Sequence, residues 1–240
     1  MSNTGKHAVI LAGGKGSRLR PYTVVLPKPL MPIGEYPILE VIIRQLAKHG
    51  FTTITLAVNH QAELIKAFFS DGNKWGVQIF YSLENEPLGT MGPLKLIQQL
   101  PDNFLVMNGD ILTNLSYSNF YNTHLVSKAL FTISSHKREQ MIDYGVLQVN
   151  EQQQLIGFTE KPRNHYEVSM GIYMLNKKVL EHIPNKQAFG FDHLMLQLIQ
   201  QKQTVVVQPF DGLWLDIGRP DDYMQAIEQF DQLKDEFLYE

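Results

Sequence analysis

The chain has 240 residues, of which 44% are hydrophobic and 19% are charged, a balance typical of a globular protein that buries its own core. The net charge of -3 argues against a general nucleic-acid-binding protein, because such proteins usually carry a basic excess. The absence of cysteine excludes disulfides, cysteine-ligated zinc and thiol catalysis. No apolar run approaches the ~18–20 residues of a membrane span, and the polar segment 1–6 does not resemble a signal peptide. We therefore expect a cytoplasmic protein that binds neither nucleic acid nor a membrane.

The first half of the chain alternates between short apolar runs and segments of helical period. Strands are predicted over 7–11, 52–58, 77–81 and 104–107, and helices over 38–48, 61–69 and 91–100. This alternating order predicts a parallel sheet with helices on both faces. Such sheets bind ligands beyond the C-terminal ends of their strands. The glycines after the first strand and Asp110 after the fourth are therefore expected to meet in one cleft.

The second half is richer in closely spaced strands. Strands are predicted over 129–134, 145–149, 154–158, 169–174 and 204–208, and helices over 192–201 and 221–233. We expect this half to form a mixed-sheet lobe that completes the cleft. No linker rich in proline, glycine or serine separates the halves, which predicts a single domain over 1–240. No hexapeptide repeat is present, so no C-terminal β-helix is expected.

A glycine-rich segment follows the first predicted strand and precedes Arg18. Glycines at 13, 14 and 16 let backbone N–H groups approach a phosphate or a base without an intervening Cβ. A P-loop requires Ser or Thr after its lysine, whereas Lys15 is followed by glycine. A dinucleotide-binding fingerprint requires a glycine at position 19, which is Leu19. Neither of these two phosphate-binding motifs is therefore present.

The glycine segment continues into a longer motif. Residues 11–23 (LAGGKGSRLRPYT) and 27–30 (PKPL) resemble the signature of the sugar-1-phosphate nucleotidylyltransferases. Further segments resemble motifs of this family in the family's order: 86–90 (EPLGT), 108–110 (NGD), 144–146 (YGV), 160–162 (EKP), 170–173 (MGIY) and 214–218 (WLDIG). The resemblance implies an α/β, Rossmann-like fold with a mixed, mainly parallel sheet flanked by helices, the nucleotide-diphospho-sugar transferase fold.

The resemblance also implies a reaction and a set of site residues. The implied reaction transfers a nucleoside monophosphate from a nucleoside triphosphate to a sugar 1-phosphate, releasing pyrophosphate, with Mg²⁺ as the cofactor. The implied catalytic residues are Arg18, Lys28 and Asp110, and the implied metal ligands are Asp110 and Asp216. The implied nucleotide-binding residues are Leu11, Ala12, Gly13, Gly14, Gly16, Ser17, Pro87, Gly89, Thr90 and Asn108. The implied sugar-phosphate-binding residues are Gly145, Glu160, Lys161 and Gly171.

The nucleobase and the protein class leave alternatives open. Residues 86–94 resemble mannose- and heptose-1-phosphate guanylyltransferases most, so GTP is expected, with uridylyl-, thymidylyl- or cytidylyl-transfer as alternatives. A second class is an inactive relative that binds nucleotide-sugars as a regulator, against which the intact Arg18, Lys28, Asp110 and Asp216 argue. A metal-dependent glycosyltransferase would carry an Asp-x-Asp turn, whereas Asp110 is followed by Ile and Leu. A homodimer is compatible with the sequence.

Overall fold

The computed structural model describes residues 5–59 and 61–238, so both ends of the expected domain over 1–240, including most of the polar segment 1–6, lie outside the described residues. The helices are α1 (Ile38–Lys48), α2 (Ala62–Phe69), α3 (Tyr117–Ser127), α4 (Phe191–Gln200) and α5 (Pro220–Leu238). The strands are β1 (Lys6–Leu11), β2 (Pro32–Ile33), β3 (Tyr36–Pro37), β4 (Phe51–Val58), β5 (Gln78–Leu83), β6 (Asn103–Asn108), β7 (Ile111–Thr113), β8 (Phe131–Met141), β9 (Val146–Val149), β10 (Leu155–Thr159), β11 (Arg163–Asn176), β12 (Val205–Pro209) and β13 (Trp214–Asp216). None of the described helices is both long and apolar enough to cross a membrane.

One seven-stranded sheet in the order β12-β8-β11-β6-β1-β4-β5 organises the fold. The four strands β6-β1-β4-β5 are mutually parallel, as is the pair β8 and β12. Only β11 runs antiparallel to its neighbours, β6 and β8. The α/β fold with a mixed, mainly parallel sheet is therefore confirmed. The strands of the expected mixed-sheet lobe, β8, β11 and β12, continue this same sheet, and β9 and β10 form a small two-stranded sheet of their own.

Both faces of the sheet are covered, because successive side chains of a strand point to opposite sides. In β1, Ala8 and Ile10 belong to the larger core cluster, which includes buried residues of α1 and α5. Val9 between them belongs to a second cluster, which includes buried residues of α4. The central strand is thus buried on both sides, and its C-terminal end is fixed in position for the glycine segment that follows.

The helix predicted over 91–100 is wrong. The chain forms a single 3₁₀ turn, Gly92–Leu96, and then continues irregularly. The residues that pack on the second core recur every three positions: Met91, Leu94, Ile97 and Leu100. That spacing fits the three residues per turn of a 3₁₀ helix better than the 3.6 of an α-helix. The backbone N–H groups of Met91 and Gly92 are moreover bonded to the Phe189 carbonyl, at 2.9 and 3.1 Å.

Two further features were not predicted. Helix α3 buries Tyr117, Phe120 and His124, which are spaced as on one face of a helix. Because His124 is polar, this face does not show as an apolar stripe in the sequence. His124 is satisfied by a 2.7 Å hydrogen bond with Thr132, which explains its burial. Strands β8 and β11 also extend beyond their predicted ends. They form an antiparallel pair whose outermost residues are Arg163 and Met141. We call residues 136–168 the arm; its side chains are mostly exposed, so no apolar alternation marks these strand extensions.

Candidate active site

A cavity of about 420 Å³ opens beyond the C-terminal ends of the parallel strands. Its lining comprises Leu11, Gly13, Gly14, Lys15, Asn59, Glu84, Pro87, Gly89, Thr90, Pro93, Asn108 and Asp110. Seven of these, from the glycine segment, 87–90 and the end of β6, are sequence-predicted nucleotide-binding residues. A Cβ atom at Gly13 would lie 2.9 Å from Glu84 Oε1, so this glycine packs closely against the Glu84 side chain. We call this space the nucleotide cavity.

Three other residues expected to bind the nucleotide lie beside this cavity. Ala12 lines a small adjoining space of about 40 Å³ together with Lys28 and Asp110. Gly16 and Ser17 line neither space. Gly16 adopts a left-handed conformation, with φ 59°, and its carbonyl accepts a 2.6 Å hydrogen bond from the Thr23 hydroxyl. Gly16 and Ser17 thus form the turn that precedes Arg18.

Asp110 lies where the glycine segment and the end of β6 meet. Gly109 N donates to the Leu11 carbonyl at 3.0 Å, which joins the ends of β1 and β6. Asp110 Oδ2 accepts a hydrogen bond from Lys28 Nζ and forms an ion pair with it. Asp110 Oδ1 is buried and has no hydrogen-bond partner. The carboxylate therefore has one lone oxygen available for a ligand.

Asp216 is brought next to Asp110 by a strand pair that the sequence did not predict. In the antiparallel pair β7 and β13, Asp216 lies opposite Ile111, and Ile217 N donates to the Asp110 carbonyl at 3.0 Å. Burial raises the pKa of Asp216, and the negative charge of Asp110 raises it further, against smaller opposing effects of Lys28 and Arg18. The carboxylates of Asp110 and Asp216 thus repel one another in a partly desolvated environment.

These two carboxylates fit a divalent cation. A bound divalent cation would be coordinated by the free Oδ1 of Asp110. It would also offset the repulsion between the two carboxylates, which raises the pKa of Asp216. No cluster of three or more histidine or acidic side chains suited to a metal is found within 5–59 and 61–238. Mg²⁺ needs no such cluster, because it is commonly held by one or two carboxylates, with water and substrate phosphates as its remaining ligands.

Arg18 approaches the same two-aspartate centre from the glycine segment. Its Nη2 atom lies 3.7 Å from the position of a Cβ at Gly218, and the same position is 3.6 Å from Asp216 Oδ1 and from Asp222 Oδ2. Arg18 forms no ion pair within the described part of the chain. Its guanidinium is therefore an unpaired cation beside Asp216, available to an anionic ligand.

Glu84 is a site residue that the sequence analysis missed. It is only 7% exposed, its Oε2 accepts a 3.2 Å hydrogen bond from Leu88 N, and its Oε1 faces Gly13. Burial raises its pKa, which the hydrogen bond from Leu88 partly offsets. The signal was an acidic residue directly after a strand, but the predicted strand ended at 81, whereas β5 ends at Leu83.

The residues expected to bind the sugar phosphate are divided between two places. Gly171, in β11 with φ 74°, packs against Asn108, which lines the nucleotide cavity, since a Cβ at Gly171 would lie 2.6 Å from Asn108 Nδ2. Gly145, Glu160 and Lys161 lie together on the arm, where Lys161 Nζ is 2.9 Å from Asp143 Oδ1. No described hydrogen bond or ion pair joins this part of the arm to Asp110 or Asp216. Their sugar-binding role stays a prediction.

The fold is an α/β fold with a cavity and a pair of carboxylates beyond the ends of its parallel strands, and comparison with known proteins gives its family. The family model described as nucleotidyl transferase matches residues 7–232. A UTP–glucose-1-phosphate uridylyltransferase of Synechocystis sp. is 35% identical over 92% of this chain and 62% of its own length. A mannose-1-phosphate guanyltransferase of Saccharomyces cerevisiae is 33% identical over 91% of this chain and 63% of its own length. The chain belongs to the nucleotidyl transferase family.

Solved structures agree with this assignment. HddC from Yersinia pseudotuberculosis, complexed with GMP-PN, superposes with a TM-score of 0.71 at 29% identity, over 94% of this chain and 99% of that one. A structure described as a putative glucose-1-phosphate thymidylyltransferase from Bacillus anthracis gives a TM-score of 0.74 at 21% identity, over 93% and 94% of the two chains, and shares the fold. This chain spans about three fifths of the length of its curated relatives.

Proposed function

We propose that this chain transfers a nucleoside monophosphate, from GTP by preference, to a sugar 1-phosphate, forming a nucleotide-sugar and pyrophosphate, with residues 1–240 acting as one nucleotidyltransferase domain. The observation that carries the proposal is the convergence of Lys28, Arg18, Asp110 and Asp216 beside the nucleotide cavity. Family membership and the named relatives support the same reaction class. A cytoplasmic location and a homodimer are compatible with this proposal.

The charges at this centre suit the chemistry. An oxygen of the sugar phosphate attacks the α-phosphorus of the nucleotide, and pyrophosphate leaves. The second pKa of a phosphomonoester is ~6, so the attacking group is already anionic and needs no general base. The difficulty is to bring two anions together, for which positioned cations are the remedy. Arg18 binds the departing pyrophosphate, and Lys28 holds phosphate oxygens of the nucleotide.

We further propose that Asp110 and Asp216 hold Mg²⁺. The ion supplies neutralising positive charge to the phosphates when it is bound. Lys28 donates to one oxygen of Asp110, which holds its ammonium beside the proposed metal and phosphate positions.

The buried carboxylate of Glu84 in the nucleotide cavity favours GTP. Guanine presents its N1–H and N2–H₂ donors side by side, an arrangement that matches the two oxygens of a carboxylate. Uracil and thymine present a single N–H between two carbonyl oxygens, which a carboxylate repels. Glu84 is a buried acidic residue that lines the cavity, and its Oε1 lies next to Gly13. Uridylyl-, thymidylyl- and cytidylyl-transfer are the alternatives.

The Glu84→Gln variant tests this assignment. Glutamine retains an oxygen for the Leu88 N–H but replaces the second acceptor by a donor. We expect the ratio of kcat/KM for GTP to that for UTP to fall ~10-fold or more, since a bidentate pair contributes ~1–3 kcal/mol of discrimination. Glu86→Gln is the matched control, because Glu86 is exposed and does not line the cavity. An unchanged ratio in Glu84→Gln would remove the argument for guanine.

The competing class, an inactive nucleotide-sugar-binding regulator, predicts a different result. Such a protein would bind a nucleotide-sugar in calorimetry but would release no pyrophosphate from any pair of substrates. Wild-type turnover that depends on both substrates excludes it.

A further inference from the structure

A second cavity, of about 720 Å³, lies on the face of the sheet that carries the second core cluster. It opens between strands β1, β4 and β5 on one side and the segment 96–101 on the other. It shares no lining residue with the nucleotide cavity. Its volume falls within the ~300–1,000 Å³ that is typical of small-molecule sites. We call this space the distal cavity.

The sheet wall of the distal cavity is polar. Strands that are covered on both faces usually carry near-continuous apolar runs. Here residues that share one face of the sheet pair in register, Thr53 with Gln78 and Thr55 with Phe80. The side chains that line the cavity from this face are His7, Thr53, Thr55, Gln78, Phe80 and Ser82. All of them except Phe80 can donate or accept hydrogen bonds, so the wall suits a polar ligand better than a packed helix.

The segment opposite this wall does not fill the space. After the 3₁₀ turn Gly92–Leu96 the chain continues irregularly, where the sequence predicted a helix. Ile97 and Leu100 pack on the second core cluster, whereas Gln98 and Gln99 are exposed. The Phe80 ring remains 46% exposed. The distal cavity therefore combines amide and hydroxyl groups with one accessible aromatic ring.

His7 is a buried polar residue that the proposed reaction does not use. It is only 6% exposed, and its Nε2 forms a 2.8 Å hydrogen bond with the Thr55 hydroxyl. Within the described part of the chain, the other ring nitrogen, Nδ1, has no hydrogen-bond partner. Polar atoms of buried residues are usually satisfied. Since His7 lines the distal cavity, a ligand there is a suitable partner for this nitrogen.

The lining of the distal cavity carries no charge at neutral pH. It contains no aspartate, glutamate, lysine or arginine. Burial lowers the pKa of His7 to about 4, so its imidazole is neutral. The charged residues that flank the segment 96–101, Lys95 and Asp102, line a different space. A phosphate or another ion would therefore lose its hydration here without meeting an opposite charge.

We propose that the distal cavity binds an uncharged saccharide of one or two sugar units, at a site separate from those of the nucleotide and the sugar 1-phosphate. Sugar hydroxyls both donate and accept hydrogen bonds, as do the amide and hydroxyl side chains of this wall. The C–H face of a sugar ring packs on the exposed ring of Phe80. The neutral lining excludes the phosphorylated substrates from this site.

The test measures binding of maltose, cellobiose and α-1,2-mannobiose to the whole chain by calorimetry. We expect wild type to bind at least one of them, and Phe80→Ala and Gln78→Ala each to weaken that binding ~3-fold or more, through loss of a packing contact or a hydrogen bond. Phe68→Ala and Gln152→Ala are the matched controls, because both residues are exposed and lie outside the cavity. Circular dichroism checks the fold of every variant. Absence of binding by wild type, or equal affinity in all four variants, overturns the assignment.

Two comparisons test the ligand class and the place of binding. The aldonic acid of the disaccharide that binds best should bind more weakly, because its carboxylate meets no cation in the distal cavity; equal affinity would contradict the charge argument. Saturating GTP or α-D-glucose 1-phosphate, each added alone, should leave the affinity for the disaccharide unchanged. Displacement by either would place the saccharide outside the distal cavity. Because binding is the readout, the result does not depend on whether the chain releases pyrophosphate.

Discussion

Lys28 and Asp110 form an ion pair that joins two segments 82 residues apart in the chain. Lys28 comes from a 3₁₀ turn, Lys28–Leu30, and Asp110 from the turn after β6. Only Oδ2 of the carboxylate is used, and Oδ1 is buried without a partner. An orphaned buried oxygen costs free energy. A divalent cation on Oδ1, as proposed above, would remove that cost.

The first prediction concerns Asp110. Asp110→Asn removes the charge that holds Lys28 and contributes to the metal site, with little change of shape. We expect turnover to fall at least ~100-fold with the fold intact. Pyrophosphate release measures the turnover and circular dichroism the fold. Asp102→Asn, an exposed aspartate before β6, is the matched control. Near-normal turnover of Asp110→Asn would refute the metal assignment.

The second prediction concerns the effect of the Asp216 charge on stability. The pKa of Asp216 is higher in the folded chain than in the unfolded chain, so protonated Asp216 favours the folded state. This contribution to stability is complete below the unfolded pKa and is lost as the pH rises through the folded pKa. At pH 7 the Asp216 charge beside Asp110 is therefore destabilising. Because Asp216 is exposed and solvent screens part of the repulsion, Asp216→Asn should raise the Tm measured in EDTA only slightly. Asp221→Asn, at an exposed position, should give no such gain; a lower Tm for Asp216→Asn would contradict the account.

The third prediction concerns two buried histidines. Burial lowers the pKa of His7 and of His124 to about 4, so both stay neutral in the folded chain while the unfolded chain takes up protons below about 6.5. Their stabilising contribution is complete above the unfolded pKa and is lost as pH falls towards 4. Between pH 7 and 5 the free energy of unfolding should fall by about 1–2 kcal/mol for each residue.

Urea unfolding at both pH values measures this loss. His7→Gln and His124→Gln should each remove part of the pH-dependent fall, whatever their effect on stability at pH 7. Variants that keep the full wild-type fall would show that other groups cause it.

The fourth prediction concerns Gly171. It has φ 74°, and a Cβ there would lie 2.6 Å from both Asn108 Nδ2 and Ile111 Cδ1. Gly50 has φ 81° but open space around a Cβ, so Gly50→Ala incurs the conformational cost alone. We expect Gly171→Ala to destabilise the chain by ~1–3 kcal/mol more than Gly50→Ala, because the side chains around it must shift. Urea denaturation compares the two variants, and equal losses would show that the Asn108 contact is unimportant.

The sequence predicted the parts of the fold that depend on local pattern. The parallel strands were apparent because their apolar runs end at glycines or polar turns, and α1 was predicted at its observed bounds. The three-residue period from Met91 to Leu100 and the buried His124 in α3 misled the prediction, because apolar patterning does not separate 3₁₀ from α-helical turns or identify a satisfied buried histidine.

The sequence identified the charged residues of the candidate site but not how they are arranged in space. Arg18, Lys28, Asp110 and Asp216 were found through motif resemblance, since their distant positions in the chain carry no local signal of contact. Their proximity depends on the pairing of β7 with β13, two three-residue strands too short for a periodic pattern. Glu84 was missed because burial is a tertiary property of an otherwise ordinary charged residue.

The most direct test of the central claim is a matrix of five nucleoside triphosphates against a panel of sugar 1-phosphates, with Mg²⁺ present and pyrophosphate release as the readout. We expect release that requires both substrates and is fastest with GTP. Release with another nucleotide in preference to GTP would correct the base assignment and leave the reaction class standing. No release from any pair would contradict the claim that this chain is a nucleotidyltransferase.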